Sequence, residues 1–222
     1  MLLYYITDRA ALAADEPTRR RRLLEKIAEA SRAGVDYIQL REKNLPTREL
    51  ESLAREAVRM VRETQERVSN RPPLTALLIN SRTDVALAVE ADGVHLRSDD
   101  ISAKDIKAIW TKCGAGTSAR VSPRNPLIGS SCHSPEEVAQ AAASGATFAV
   151  FGPVFEKGQS EPKGVRQLRE ACQVGIPVLA LGGATLENAR ACLDAGASGV
   201  AGIRLFQEND IGKIVRAART QI

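Results

Sequence analysis

Residues 33–43 read AGVDYIQLREK, and this stretch contains the unit from which the fold can be predicted. A helical pattern ends at Gly34, because glycine can adopt the left-handed conformation that closes a helix. A short apolar strand follows over residues 36–40 and runs directly into the charged residues 41–43. Long polar side chains at the end of a buried strand need polar partners. The stretch therefore predicts a helix-glycine-strand joint that ends either at a site for an anionic ligand or in a solvated loop.

The same joint recurs at residues 144–147 (SGAT) and 195–198 (AGAS), and short apolar runs alternate with helical patterns along the whole chain. This alternation predicts a parallel sheet. Eight units in 222 residues favour a closed (β/α)8 TIM barrel, a single domain over residues 1–222, rather than an open doubly wound sheet. The predicted strands are 2–6, 36–40, 76–80, 93–96, 127–129, 148–151, 178–181 and 199–203. The predicted helices are 18–32, 46–64, 83–90, 102–112, 135–143, 164–173, 185–194 and 209–220.

The charge pattern argues against a nucleic-acid partner. The net charge is +4, and the one basic run, residues 19–22, lies without interleaved aromatic residues at the start of a predicted helix. We expect this run to form a solvated helix face. The N-terminus turns charged at Asp8, as expected of a first strand rather than a signal peptide, and no apolar run is long enough to span a membrane.

The cysteines also bear on the compartment of the protein. None of the four forms a C-x-x-C pair, so no two cysteines have the spacing of ligands in a structural zinc site. We therefore expect reduced thiols in a cytoplasmic protein. The cysteines are Cys113, Cys132, Cys172 and Cys192.

Polar residues and glycines follow nearly every predicted strand, and in a barrel the carboxyl ends of the strands form the active face. This favours the ligand interpretation of residues 39–43. Gly182 and Gly183 follow the seventh strand, and Ile203 and Arg204 follow the eighth. The loops after these strands often hold a phosphate on backbone N–H groups, and the position of Gly182-Gly183 in the eightfold alternation favours this interpretation over a tight turn without a ligand.

Three further features are candidates for chemistry. His133 precedes a helix and is the better acid/base candidate, whereas His95 lies within a strand and is expected to be a hydrogen-bonded core residue. Asp100 follows the fourth strand, where it could bind Mg²⁺ or serve as a helix N-terminal charge. Residues 157–164 (KGQSEPKG) form a predicted loop on the active face and a candidate lid.

Eight ordered motifs together resemble the thiamine phosphate synthase/TenI family. They cover almost the whole chain: YITD (5–8), IQLREK (38–43), INSRTDVALA (79–88), ADGVHL (91–96), IGSSCHS (128–134), FGPVF (151–155), IPVLALGG (176–183) and AGASGVA (195–201). The resemblance implies a TIM barrel and an enzyme of thiamine biosynthesis. Synthases of this family join hydroxymethylpyrimidine diphosphate to a thiazole phosphate and release pyrophosphate. TenI-type members are thiazole tautomerases, which move a proton on a carboxylated thiazole phosphate.

The resemblance also implies roles for individual residues. Small phosphorylated molecules are the expected partners, and a homo-oligomer is left open. The catalytic residues are expected to be His133, Lys43 and Arg41. The substrate-binding residues are expected to be Gln39, Asn80, Ser81, Ser131, Lys157, Lys163, Gly182, Gly183, Ile203 and Arg204. Asp100 is the expected ligand of Mg²⁺, a cofactor that the synthase reaction would need.

The chain departs from the synthase pattern where the two branches differ. Ser81 stands where synthases usually have a metal-binding aspartate, residues 156–160 lack the usual pyrophosphate-binding sequence, and Arg204 stands where serine is common. These departures favour the tautomerase branch slightly over an active synthase. A non-catalytic regulator that binds thiazole or thiamine phosphate is a third interpretation. A different phosphate-binding barrel isomerase explains Gly182-Gly183 but not residues 39–43.

Overall fold

Eight parallel strands close into a barrel in a computed structural model, which describes residues 1–67, 75–114, 125–155 and 161–220. Each strand pairs with the next along the chain, and the first pairs with the last. The strands are β1 (Leu2–Ile6), β2 (Tyr37–Leu40), β3 (Ala76–Asn80), β4 (Gly93–Leu96), β5 (Leu127–Cys132), β6 (Phe148–Phe151), β7 (Val178–Leu181) and β8 (Gly199–Gly202). The predicted (β/α)8 barrel is confirmed.

Helices follow the strands around the outside of the barrel. They are α1 (Glu16–Ala33), α2 (Thr47–Arg67), α3 (Thr83–Ala88), α4 (Ala103–Gly114), α5 (Pro135–Ala143), α6 (Gly164–Ala171), α7 (Leu186–Asp194), α8 (Arg204–Gln207) and α9 (Ile211–Thr220). Short 3-10 turns cover Arg9–Ala11 and Cys172–Val174. The short α8 was not predicted, because its four residues are too few to show helical periodicity.

The predicted joints between helices and strands are confirmed. Gly34, Gly145 and Gly196 have φ angles of 85°, 90° and 100°, the left-handed conformation in which a residue with a Cβ is strained. At the start of α5, the Ser134 hydroxyl accepts a hydrogen bond from the Glu137 backbone N–H, and Pro135 occupies the first turn. Local sequence therefore determines where these helices begin and end.

Strand β5 is longer than predicted. It continues past Gly129 to Cys132, because its backbone stays paired with β6 from Gly129 opposite Phe148 to Cys132 opposite Phe151. Ser130 and Ser131 therefore lie inside the strand rather than in the loop after it. Side chains alternate between the two faces of a strand, so this extension decides which serine points into the barrel.

The barrel has two apolar layers. The inner layer contains residues such as Tyr4, Leu78, Phe148 and Leu179, and the outer layer lies between the strands and the helices. The rings of Tyr4, Tyr37 and Phe148 pack together with centroids 5.0 to 5.9 Å apart, and they fill the amino-terminal half of the barrel. The interior is a packed core rather than a pore.

Alternation along the strands puts polar side chains at the carboxyl end of the interior. Tyr37 and Ala76 pack against the inner layer. Two and four residues further on, the same faces of β2 and β3 present Gln39 and Asn80. The Gln39 amide donates to the Asn80 carbonyl oxygen at 2.8 Å, which confirms that both side chains point inward.

Other expectations concern the outside of the barrel. Arg20, in the basic run of α1, pairs with Glu56 of α2 at 2.8 Å, so the run is a solvated and ion-paired helix face. All four cysteines are unpaired. Among the residues that the structure describes, no helix combines the length and apolar character needed to cross a membrane.

Candidate active site

A cavity of about 310 Å³ lies at the carboxyl end of the barrel, and we call it the cationic cavity. It brings together seven of the predicted site residues from four different strand ends. They are Gln39, Arg41, Lys43, Asn80, Ser131, His133 and Ile203. Arg97, Ser98 and Asp99 line it as well, and they come from the loop after β4. Residues distant in sequence therefore meet where a barrel normally carries out its chemistry.

A second cavity of about 700 Å³ lies beside the first, and we call it the glycine cavity. Gly182, Gly183 and Arg204 line it, and it shares Leu181 and Ile203 with the cationic cavity. Gly182 and Gly183 have φ angles of 91° and 64°. The two cavities adjoin, so one ligand can reach both.

The loop of the glycine cavity is held by the start of α7. The Thr185 hydroxyl accepts from the Asn188 backbone N–H, the Asn188 side chain accepts from the Thr185 N–H, and its amide donates to the Gly183 carbonyl at 2.9 Å. Within residues 1–67, 75–114, 125–155 and 161–220, no hydrogen-bond acceptor meets the amide N–H of Gly183. A backbone donor beside a helix N-terminus suits an anion such as phosphate.

The floor of the cationic cavity is a hydrogen-bonded row of side chains. Gln39 is 2% exposed and donates to Asn80, whose amide in turn donates to the Ser81 hydroxyl at 3.2 Å. Ser81 has φ 59°, an uncommon conformation for a residue other than glycine. Its N–H donates to the His95 carbonyl, which holds this turn against β4. The row fixes the orientation of both amides before any ligand arrives.

His95 is a structural residue, as expected from its place in a strand. It is 2% exposed, and its ring nitrogens bond to the Tyr4 hydroxyl at 3.1 Å and the Ser131 hydroxyl at 2.8 Å. Burial, with a smaller contribution from the Arg41 charge, lowers the pKa of His95 to about 3. Gly129 makes room for the ring, because a Cβ there would lie 2.6 Å from His95 Nδ1. A neutral imidazole therefore connects the core to Ser131 in the cavity wall.

His133 has the geometry of a general base. Its Nδ1 lies 2.6 Å from the Gly152 carbonyl oxygen, which can only accept a hydrogen bond. Nδ1 therefore carries the proton, and Nε2 is the basic nitrogen. The His133 backbone N–H donates to the Glu137 carboxylate at 2.6 Å, which holds the residue at the start of α5. The ring lines the cationic cavity and is solvent-exposed, so a ligand can reach it.

Three positive side chains line the same cavity. The pKa of Lys43 is lowered, chiefly by the charge of Arg41 and then by partial burial and the charge of Arg97. Each nearby positive charge disfavours the ammonium form of the lysine. Among the described residues that line the cavity, Asp99 is the one carboxylate. The surplus of positive charge favours an anionic ligand.

The residues around Arg41 are anchored by a buried carboxylate. The Thr7 hydroxyl donates to Glu42 Oε1 at 2.6 Å and accepts from the Arg41 N–H at 3.0 Å, while the Arg9 guanidinium lies 3.2 Å from Glu42 Oε2. Burial raises the pKa of Glu42, and the bonds from Thr7 and Arg9 partly offset that rise. The end of β2 is therefore fastened to the end of β1.

Arg97 was not predicted from the sequence. Its guanidinium lies 2.9 Å from an Asp99 oxygen and 3.7 Å from an Asp100 oxygen, and its backbone N–H donates to Asp100 at 2.8 Å. The signal that could have identified it is simple: Arg97 follows β4 directly, at the kind of position that was used to select Arg41 and Asn80.

The residues expected to bind Mg²⁺ do not form a donor set that fits the ion. Mg²⁺ is usually held by one or two carboxylates together with substrate phosphates. Asp100 already accepts from the Arg97 N–H, and it lines a neighbouring cavity of about 180 Å³, which shares Arg97, Ser98 and Ser131 with the cationic cavity, but it does not line the cationic cavity itself. Ser81 contributes a neutral hydroxyl that accepts from Asn80. In the described part of the chain, no group of three or more His, Cys, Asp or Glu side chains could hold a metal ion.

Two predicted lysines remain. Lys157 lies outside the described residues, as does half of the candidate lid, residues 157–160. Lys163 precedes α6, and its backbone N–H donates to the Pro153 carbonyl at 2.7 Å. It is not among the residues that line either cavity.

Comparison with known proteins places this geometry in a family. The family model described as thiamine monophosphate synthase matches residues 3–206. Thiamine-phosphate synthase from Clostridium novyi is 33% identical over 94% of this chain and 91% of its own length. The enzyme of the same name from Syntrophomonas wolfei is 34% identical over 98% of this chain and 94% of its own.

A solved structure agrees with these relatives. Thiamine phosphate pyrophosphorylase from Pyrococcus furiosus is 32% identical and superposes with a TM-score of 0.76, covering 99% of this chain and 94% of that one. The family match covers every residue that lines the cationic cavity and most of those that line the glycine cavity. The chain therefore belongs to the thiamine phosphate synthase family, whose members are enzymes of thiamine biosynthesis.

Proposed function

We propose that this protein is a tautomerase that moves a proton on a carboxylated thiazole phosphate. The observation that carries the proposal is the fixed tautomer of His133. Its Nδ1–H donates to the Gly152 carbonyl at 2.6 Å, which leaves the basic Nε2 available to a ligand in the cationic cavity. That cavity adjoins the glycine cavity, whose loop offers a backbone N–H. An imidazole can both take up and return a proton.

The proposed binding mode uses both cavities. The phosphate lies in the glycine cavity, against the N–H of Gly183 and the start of α7. The thiazole ring crosses the shared wall near Ile203, and its carboxylate meets Arg41 and Lys43 in the cationic cavity. Gln39 and Asn80 hold the ring by hydrogen bonds from amides that the floor of the cavity already orients.

The proposed step is a proton transfer with no leaving group. His133 Nε2 takes a proton from one ring position, and the electron pair left behind is delocalised toward the carboxylate-bearing part of the ring. Arg41 and Lys43 stabilise that negative charge, because their positive charges face the cavity before the reaction begins. The imidazolium then returns the proton at another ring position, so substrate and product are isomers.

An active synthase is the second candidate. Its support is the group of three cations, Arg41, Lys43 and Arg97, which suits a diphosphate better than a single carboxylate. The names of the relatives also favour this branch. Magnesium belongs to this second candidate, and we assign no step to it because Asp100 and Ser81 do not offer a fitting donor set.

Two assays on one preparation separate the branches. The first follows proton exchange and isomerisation of carboxylated thiazole phosphate by NMR in D₂O. The second follows thiamine phosphate formation from pyrimidine diphosphate and thiazole phosphate with Mg²⁺. We expect isomerisation in the first assay, and its rate should fall about 100-fold or more in His133→Asn, the usual range for loss of a general base.

The control variant is His95→Asn, which removes the other histidine but not the proposed base. It should weaken the structure more than it changes the proton-transfer step, because His95 bonds to Tyr4 and Ser131 in the barrel wall. Thiamine phosphate formation without isomerisation would establish the synthase instead. Tight thiazole phosphate binding with no turnover in either assay would show a non-catalytic regulator.

A further inference from the structure

We infer that Arg97 supplies the positive charge that a metal ion would otherwise bring to the cationic cavity, so that this cavity binds a diphosphate group without Mg²⁺. The inference rests on the proposed anion-binding role of that cavity, but it holds for either proposed reaction. It concerns a residue of the β4 loop that the proposed proton transfer does not use.

The β4 loop turns its carboxylates toward its own arginine. Asp100 accepts from the Arg97 backbone N–H at 2.8 Å, and its other oxygen lies 3.7 Å from the Arg97 guanidinium. Asp99 pairs with the same guanidinium at 2.9 Å. A positive charge therefore already occupies the space between the two carboxylates that could have held a cation.

The charge of the cavity also disfavours a divalent cation. Arg41, Lys43 and Arg97 face one carboxylate, Asp99, among the described lining residues. The charge of Arg41, with partial burial and the charge of Arg97, already lowers the pKa of Lys43, so the positive charges of the cavity repel one another. A Mg²⁺ ion would meet the same repulsion with twice the charge.

Arg97 is free to change partners when an anion binds. Its side chain is 48% exposed and that of Asp99 is 68% exposed, so their ion pair lies largely in water. Exposed ion pairs contribute little to stability, so breaking this one costs little. A guanidinium stays charged at all physiological pH values and binds phosphate oxygens through two parallel N–H groups.

The test measures binding of inorganic pyrophosphate by calorimetry, in EDTA and again with Mg²⁺. We compare the wild-type chain with Arg97→Gln, which removes the charge but keeps much of the length. In EDTA the wild-type chain should bind pyrophosphate, and Arg97→Gln should bind it roughly 10- to 100-fold more weakly, the loss expected for one charge-assisted hydrogen bond. Arg97→Lys should recover part of the affinity.

Two controls make the result specific. Arg59→Gln removes a side chain that is 70% exposed on α2, and it should leave the affinity within twofold. Asp100→Asn should also bind pyrophosphate within about threefold of wild type in EDTA. If the site instead held Mg²⁺ through Asp100, this variant would bind pyrophosphate much more weakly than wild type when Mg²⁺ is present. Circular dichroism checks that each variant is folded.

The inference is overturned if the wild-type chain binds pyrophosphate only with Mg²⁺, or if Arg97→Gln binds as tightly as wild type. Neither outcome depends on turnover, so the failure of this inference is distinguishable from the failure of the proposed proton transfer. That reaction fails only if isomerisation is absent or does not depend on His133.

Discussion

The two cavities on the active face are built in opposite ways. Among the described residues that line the glycine cavity, one cation, Arg204, stands against three carboxylates, Asp8, Glu187 and Glu208. An anion there must rely on backbone N–H groups and the start of α7. The cationic cavity instead uses long charged side chains. One cavity depends on the path of the backbone, and the other depends on the identity and support of its side chains.

This contrast gives different sensitivities to substitution and to solvent. A backbone site should fail when its turn is distorted, and it should tolerate the loss of a nearby charge. A site built from charged side chains should be sensitive to salt and to the groups that hold those side chains in place. Four experiments test these expectations, and they are given in order of decreasing effect.

Gly182→Ala should have the largest effect. Gly182 has φ 91°, and an added Cβ would lie 2.6 Å from the Pro153 Cα, so both the backbone angle and the neighbouring backbone oppose it. We expect a loss of about 3 kcal/mol in the free energy of unfolding, of which left-handed strain supplies about 1–2 kcal/mol. Chemical denaturation measures this loss, and calorimetry should show weakened thiazole phosphate binding.

Gly175→Ala is the matched control for that experiment. Gly175 has φ 86°, but nothing lies within 4 Å of an added Cβ. It should therefore lose only about 1–2 kcal/mol from backbone strain. Equal losses in the two variants would mean that the close approach of Pro153 does not matter.

Glu42→Gln tests the support of the cationic cavity. It replaces one of the two carboxylate oxygens that accept hydrogen bonds from Thr7 and Arg9 with an amide NH2, which cannot accept, and we expect this to cost about 2 kcal/mol in the free energy of unfolding. Pyrophosphate binding should weaken as well, since the Arg41 backbone is held through Thr7. Unchanged binding in a destabilised variant would show that Glu42 has a structural role only.

The pH dependence of that variant has a definite sign. Burial raises the folded-state pKa of Glu42 above its ordinary value of 4.5. The associated stability is fully present below about pH 4.5 and is lost as the pH rises through the raised pKa. Glutamine does not titrate, so the wild-type advantage in unfolding free energy should be greatest at low pH and shrink as the pH rises. Denaturation curves at several pH values check this, and an advantage that grows with pH would contradict it.

Salt should weaken ligand binding more in the cationic cavity than in the glycine cavity. Between about 50 and 200 mM salt, pyrophosphate affinity should fall roughly 10-fold, because its contacts are exposed charges that ions screen. Thiazole phosphate affinity in Arg41→Gln, where the backbone loop carries most of the binding, should fall less steeply. Parallel slopes in the two titrations would contradict the contrast between the cavities.

Arg204→Gln should have the smallest effect. The Arg204 side chain is exposed at the edge of the glycine cavity, so its charge is well screened. We expect thiazole phosphate affinity to fall about two- to threefold in a calorimetric titration. A loss above 10-fold would mean that this cavity also depends on side-chain charge.

The sequence predicts the fold better than it predicts the site. The helix-glycine-strand joints are local signals, and all three were found with their expected left-handed glycines. Most strand bounds agree to within a residue. The end of β5 was placed too early, because its pairing with β6 is a contact between distant segments that no local pattern records.

The site was predicted where it depends on strand ends and missed where it depends on the direction of a side chain. Gln39, Asn80 and His133 follow from position along the chain. Arg97 could have been selected because it follows β4 directly, but its contacts with Asp99 and Asp100 depend on how the loop folds back on itself. Composition and spacing contain no information on those contacts.

The packed rings of Tyr4, Tyr37 and Phe148 have a consequence for access. They fill the barrel interior on the amino-terminal side of the floor formed by Gln39 and Asn80, so that end of the barrel offers a ligand no route to the cationic cavity. A ligand of this cavity therefore has to arrive and depart on the side of the barrel where the strands end.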